Sequence, residues 1–168
     1  MIIRFILITI LVCASPYAFG MGSVPSASQR EVFNNGTLAP EFTLETTLGG
    51  NQSLSQARGG KRAMVIFWAS WCPHCNEELE SLSQKLDEVK QKNIQVLLVN
   101  VGESKDDAKA YLERIHLPLD SFLDEDNAIS GQYGVVGIPT IIFIDEKGFL
   151  RAVEHGLPDD LEAPFNSK

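Results

Sequence analysis

Apolar residues fall along this chain in several distinct patterns, and each predicts a different kind of element. From Phe5 to Ala14 they run together, interrupted only by Thr9 and Cys13. Residues 21–37 show no apolar periodicity and are rich in Ser, Asn and Gly, the composition of a linker. Phe42 and Leu44 then alternate with polar neighbours ahead of the turn sequence Leu48-Gly49-Gly50-Asn51-Gln52, which predicts a hairpin. Met64-Val65-Ile66-Phe67-Trp68, inside Lys61–Ala69, and the stretch Ile94–Val101 are continuous apolar runs, the pattern of strands covered on both faces.

Between those two strands the period changes. Leu79, Leu82, Leu86 and Val89 recur at helical spacing, predicting a helix from about Pro73 to Lys92. Pro73 suits its first turn, where a missing N–H has no helical partner to lose. Glu77, Glu78 and Glu80 crowd its positive end. Strand, helix and strand in this order make a right-handed βαβ unit. Ser104 caps a second helix, with Asp107 three residues on and an apolar face of Ala108, Tyr111, Leu112 and Ile115 that Pro118 ends. A short stretch around Phe122-Leu123 and a small helix at Ala128–Tyr133 follow. A strand at Thr140–Asp145, a turn at Glu146-Lys147-Gly148 and a returning strand at Phe149–Glu154 complete the pattern.

Composition adds the setting. With 168 residues and 44% hydrophobic content the chain suits one globular domain with a real core. Residues 1–20 hold Arg4 and no acid, and Pro16, Ala18 and Gly20 follow the apolar run as small residues and a helix breaker do before a cleavage site. The run is shorter than the roughly 20 residues needed to span a bilayer, so a cleaved export signal is favoured over an uncleaved anchor. The remaining residues, 21–168, carry 13 basic and 22 acidic side chains, a net charge of −9. That balance argues against nucleic acid and against a polybasic grip on anionic membranes. Removing the signal also removes Cys13 and leaves two cysteines, too few for a disulfide-stapled scaffold.

Those two carry the chemistry. Trp71-Cys72-Pro73-His74-Cys75 sits where a buried strand passes into a helix. Disulfide exchange needs one thiolate to attack and a second thiol to resolve the mixed disulfide. Cys72 stands at the helix N-terminus, whose free N–H groups and dipole favour the thiolate. Cys75 lies one turn deeper, within bonding reach. A structural zinc site would need two more ligands, and a c-type haem would need His where Asn76 stands. A copper relay on the same pair stays open beside the redox dithiol.

Phe67-Trp68-Ala69-Ser70-Trp71-Cys72-Pro73-His74-Cys75, with Gly137-Ile138-Pro139-Thr140 later in the chain, resembles the thioredoxin superfamily. Ala39-Pro40-Glu41-Phe42-Thr43-Leu44, Val99-Asn100-Val101-Gly102-Glu103-Ser104 and an extra segment before Pro139 resemble its exported ResA/TlpA-type branch, which includes the thioredoxins of cytochrome c maturation. The likeness covers about residues 38–157. It implies an α/β thioredoxin fold: a central mixed β-sheet flanked by helices, an N-terminal β-hairpin and a central helical insertion. It implies Cys72 as nucleophile, Cys75 as resolving thiol, a reversible Cys72–Cys75 disulfide and a cis Pro139 facing them. Trp71, Pro73 and the Ile138 backbone are then the substrate-contacting residues. Glu78, three positions after Cys75, takes the place of the acid that tunes the thiols and shuttles a proton. His74 bears on direction: as in the oxidant DsbA, a histidine between the cysteines stabilises the thiolate and makes the disulfide more oxidising.

Two positions depart from the superfamily pattern. Ile66 replaces the buried aspartate of thioredoxin, and Glu80 replaces a helix-kinking proline. His116 and His155 read as helix-end and surface residues. Pro158 and Pro164 leave room for only a short closing helix. The expected organisation is a signal or anchor at 1–20, a linker at 21–37, a domain at 38–160 and a tail at 161–168. The expected function is disulfide exchange with exported proteins, as a reductase of cytochrome c or copper-site maturation type, in the bacterial periplasm or on the outer face of the cytoplasmic membrane. Protein thiols and disulfides and an upstream membrane electron donor are the expected partners, with no cofactor, no metal and no nucleic acid. The membrane is reached only through residues 1–20, and a monomer is expected. The rival readings are a DsbA-like oxidant, a thiol peroxidase of AhpC/TSA type, and a copper-binding chaperone.

Overall fold

The apolar runs pair into a sheet whose two faces are both covered. The structure is a computed structural model and describes residues 36–166, so the expected signal or anchor and most of the expected linker lie outside the described residues. In chain order the elements are β1 (Thr43–Glu45), β2 (Asn51–Ser53), α1 (Leu54–Arg58), β3 (Arg62–Trp68), α2 (Pro73–Gln91), β4 (Ile94–Val101), α3 (Lys105–Arg114), β5 (Ser121–Asp124), α4 (Ala128–Gln132), β6 (Thr140–Ile144), β7 (Leu150–Glu154) and a closing 3₁₀ turn at Ala163–Asn166.

The main sheet has the order β5-β4-β3-β6-β7. Strand β3 runs parallel to β4, with Val65 opposite Leu97, and antiparallel to β6, with Ile66 opposite Ile141. This is the central mixed sheet that the sequence predicts, with β1 and β2 as a separate antiparallel hairpin. Side chains alternate across a strand. Met64, Ile66 and Trp68 therefore face one apolar cluster, with Leu79 and Leu82 of α2 and Tyr111 of α3. Val65 and Phe67 face the other, with Phe42, Leu54 and Tyr133. Both faces of β3 being dry explains its unbroken apolar sequence.

Both edges of the sheet are met by the N-terminal segment. Gly36 N–H donates to Leu150 O at 2.9 Å, Leu150 N–H to Thr37 O at 2.8 Å, and Leu38 bridges to Phe149. On the far edge Thr46 bridges to Phe122, and Thr47 N–H donates to Ser121 O at 2.9 Å. Among the described residues pairing thus begins at Gly36, ahead of the expected boundary at 38.

Packing also runs past 160. Leu161 and Phe165, expected in a tail, belong to the same apolar cluster as α2. The Phe165 ring meets Phe143 edge-on at 5.2 Å and lies 5.0 Å under the Arg62 guanidinium. The prolines forbid a long helix here, as expected, but one 3₁₀ turn is enough to bring Leu161 and Phe165 onto the sheet.

Candidate active site

Strand β3 ends on the buried Trp68, and the chain turns at once. Cys72 N–H donates to Ala69 O at 3.2 Å, closing a turn over Ser70 and Trp71. Cys72 is the N-cap of α2, in extended backbone, and its Sγ accepts the Cys75 N–H at 3.2 Å. Pro73 occupies the first helical turn, as its fixed φ and missing N–H suit. Cys72 and Cys75 are disulfide-bonded, with Cα atoms 5.2 Å apart. Cys72 keeps 5% of its surface in water and Cys75 none, so an incoming group meets Cys72 first.

Ile138 and Pro139 lie opposite the pair. The Ile138–Pro139 peptide is cis, and Ile138 O lies 3.6 Å from Cys72 Sγ. In the disulfide that sulfur has no hydrogen, so the pair is a contact; in the dithiol the same geometry accepts an S–H donor. Trp71 and Pro73 are exposed beside it, Trp71 at 67%. Val136, two residues before Ile138, is 97% exposed and was not singled out by the sequence.

The charged candidates sit differently from one another. His74 is exposed and pairs along the helix with Glu77, Nδ1 to Oε2 at 3.3 Å. Glu78 is half-buried, and its Oε2 accepts the Leu157 N–H at 2.8 Å, tying α2 to the loop after β7. Gly156 permits this close approach: a Cβ there would stand 3.0 Å from Glu78 Oε1. Ile66 is buried among apolar neighbours, so β3 supplies no carboxylate to the cysteines. His116 fits its helix-end reading, with φ of +53° just past α3. Among the described residues, no group of three or more His, Cys, Asp or Glu is placed to hold a metal ion.

Two site residues escaped the sequence reading. His155, read as a surface histidine, brings Nδ1 within 3.2 Å of Pro139 O and 3.4 Å of Thr140 Oγ1. The Pro139 carbonyl can only accept, and the Thr140 hydroxyl already donates to Gly137 O, so Nδ1 carries the proton. Glu103, at the start of the loop to α3, accepts Ser70 N–H at 2.7 Å and the Ser70 hydroxyl, and also Asn100 Nδ2–H at 2.7 Å. It stood inside a motif of the resemblance but had no role assigned. The signal available was an acid placed just after β4, at the end of the sheet where the cysteines sit.

A sequence model of the AhpC/TSA family matches residues 35–153. The chain belongs to the AhpC/TSA family. Among its relatives in that thioredoxin-like family, the thiol-disulfide oxidoreductase ResA of Geobacillus kaustophilus is 30% identical over 134 residues, 79% of this chain and 76% of the relative. ResA of Bacillus subtilis is 29% identical over 154 residues, 92% of this chain and 84% of the relative. The crystal structure of the thioredoxin domain of a thiol-disulfide oxidoreductase from Bacteroides vulgatus superposes with a TM-score of 0.68 at 28% identity, covering 77% of this chain and 93% of that one. This AhpC/TSA member is therefore an oxidoreductase of the thiol–disulfide class, with the thioredoxin fold that its own sequence implied.

Proposed function

We propose that the Cys72–Cys75 pair reduces disulfides in exported proteins, at sites such as apocytochrome c or copper-site maturation factors. The observation that carries this is the asymmetry of the pair. Cys72 is the sulfur open to water, at a helix N-terminus and against Ile138 O, while Cys75 is sealed behind it.

In the reduced protein the Cys72 thiolate attacks one sulfur of a substrate disulfide. A Cys72–substrate bond forms, the substrate S–S bond breaks, and the departing thiolate takes a proton. Cys75, deprotonated, then attacks Cys72 Sγ, closing the Cys72–Cys75 disulfide and releasing the second substrate thiol. Two electrons have passed to the substrate, and a membrane-borne dithiol donor returns the pair to the reduced state. Glu78, one helical turn beyond Cys75, raises the thiols by like-charge repulsion and relays the Cys75 proton. Cis Pro139 keeps a backbone N–H away from the sulfurs, and Ile138 offers its backbone to the substrate strand beside Trp71 and Pro73. His74 points along the helix to Glu77 rather than to the sulfurs, which fits a reductant better than an oxidant.

Cys75→Ala should trap a mixed disulfide between Cys72 and substrate, seen on non-reducing gels of protein recovered from an exporting host. Absence of any trapped partner, together with rapid peroxide consumption by the wild type, would replace this reading with a thiol peroxidase.

A further inference from the structure

The turn that delivers Cys72 is held from behind by one carboxylate. Its closing bond, Cys72 N–H to Ala69 O, leaves the Ser70 N–H without a partner inside the turn. Glu103 takes that N–H at 2.7 Å with one oxygen and the Ser70 hydroxyl with the other. Asn76 Nδ2, 3.5 Å from Ser70 O, steadies the same residue from α2. Asn100 is fully buried and gives Nδ2–H to Glu103 at 2.7 Å, while its Oδ1 has no hydrogen-bond partner. The route of the loop is fixed as well: Gly102 has φ of +71°, and a Cβ there would meet Asn127 Oδ1 at 3.0 Å.

Every group on the Glu103 carboxylate is a neutral donor, and among the described residues no cation pairs with it. Only Trp71 separates Ser70 from Cys72, about 7 Å from Cα to Cα at most, so the carboxylate bound to Ser70 stands on the order of one Debye length at physiological salt from the Cys72 sulfur. The Cys72 thiolate exists only in the reduced form, so a fixed negative charge at that range disfavours the reduced form and leaves the disulfide unaffected.

We infer that Glu103 is a positioning residue for disulfide exchange: through Ser70 it sets the turn that presents Trp71 and Cys72, and its uncompensated charge biases the Cys72–Cys75 couple toward the disulfide, making the dithiol a stronger reductant. This rests on the exchange chemistry proposed above.

The test compares Glu103→Gln with Glu103→Ala in the whole protein. Gln removes the charge, and the free Oδ1 of Asn100 can turn to accept its amide, so the anchor survives in part. Ala removes both charge and anchor. Two readouts are needed. One is the equilibrium of protein disulfide plus two glutathione thiols with protein dithiol plus glutathione disulfide. The other is the thiolate absorbance of Cys72 against pH. His74, Glu77, Glu78 and His155, the other titratable groups around the pair, are unchanged in all variants.

Glu103→Gln should make the disulfide about tenfold easier to reduce and bring the Cys72 titration down by about one pH unit. Glu103→Ala should show the same shift and, in addition, a limiting exchange rate at least severalfold slower once the thiol is fully ionised. An unmoved equilibrium and titration in Glu103→Gln overturn the charge bias, and a wild-type limiting rate in Glu103→Ala overturns the positioning. Should Glu103→Gln lack folded circular dichroism, Glu103→Asp replaces it. Asp keeps the charge but draws it back from Ser70, so the limiting rate should fall while the titration stays near the wild type; a titration displaced by a full unit overturns the proposal. A wild type that does not exchange with glutathione at all refutes the parent reading instead.

Discussion

Two buried or half-buried carboxylates sit at opposite ends of the central sheet, and each collects three donors. At the end of β6, Asp145 accepts the Phe149 N–H at 2.9 Å and two bonds from Arg151, at 2.9 and 2.6 Å. At the end of β3 and β4, Glu103 accepts two donors of Ser70 and one of Asn100, all of them neutral. The difference lies in the counter-charge. Arg151 neutralises Asp145, so that site contributes to stability alone. Glu103 keeps its field, and the nearest chemistry is the cysteine pair. One local motif, an acid gathering turn donors, thus serves the fold at one end and the reaction at the other.

The comparison breaks if substitutions at the Asp145 end move the redox couple. Phe165→Ala, beneath Arg62 at that end, should give the largest loss, about 3 kcal/mol in denaturant unfolding, with the glutathione equilibrium unchanged. Arg151→Gln should cost about 1–2 kcal/mol, allowing for the part of Arg151 that water reaches. It also sharpens the acid side. Burial raises the Asp145 pKa, but the Phe149 N–H and Arg151 outweigh burial and hold it below the usual carboxylate range. A folded value below the unfolded one stabilises fully above about pH 4 and is lost as pH falls through the lower folded value. Unfolding measured from pH 6 to 2 should therefore show a shallower acid slope in Arg151→Gln. The smallest effect falls near the reactive end: Ser104→Ala removes the cap of α3, whose Oγ accepts Asp107 N–H at 3.3 Å, and should cost about 1 kcal/mol. A change in exchange rate there would mean that α3 itself steers Glu103.

What the sequence revealed, it revealed locally. Strands β3 and β4 are continuous apolar runs because both faces are dry, and α2 announces itself by Pro73 and a leucine stripe. Cys72 and Cys75 are three residues apart, and Pro139 lies in a short recognisable string. Glu103 and His155 were silent because their partners are remote in the chain: Ser70 for one, Pro139 for the other. Glu78 was noticed for its spacing from Cys75, yet its bond to Leu157 depends on a loop that no periodicity describes. Leu161 and Phe165 look like tail in the sequence because two prolines argue against a long helix, although prolines do not argue against burial.

The bridges from Leu38 to Phe149 and from Thr46 to Phe122 join the N-terminal segment to the two edges of the main sheet, both formed by residues of the final third. In a chain made from its N-terminus, the early segment can close its own hairpin at once, but its two sheet-edge bridges have no partner until the final third arrives. Contacts of such long sequence separation form slowly. The edge-closing pairs would come late, and an incompletely folded chain would keep open sheet edges. The arrangement thus couples closure of both sheet edges to the arrival of the last third of the chain, so the fold is completed as a unit rather than from one end.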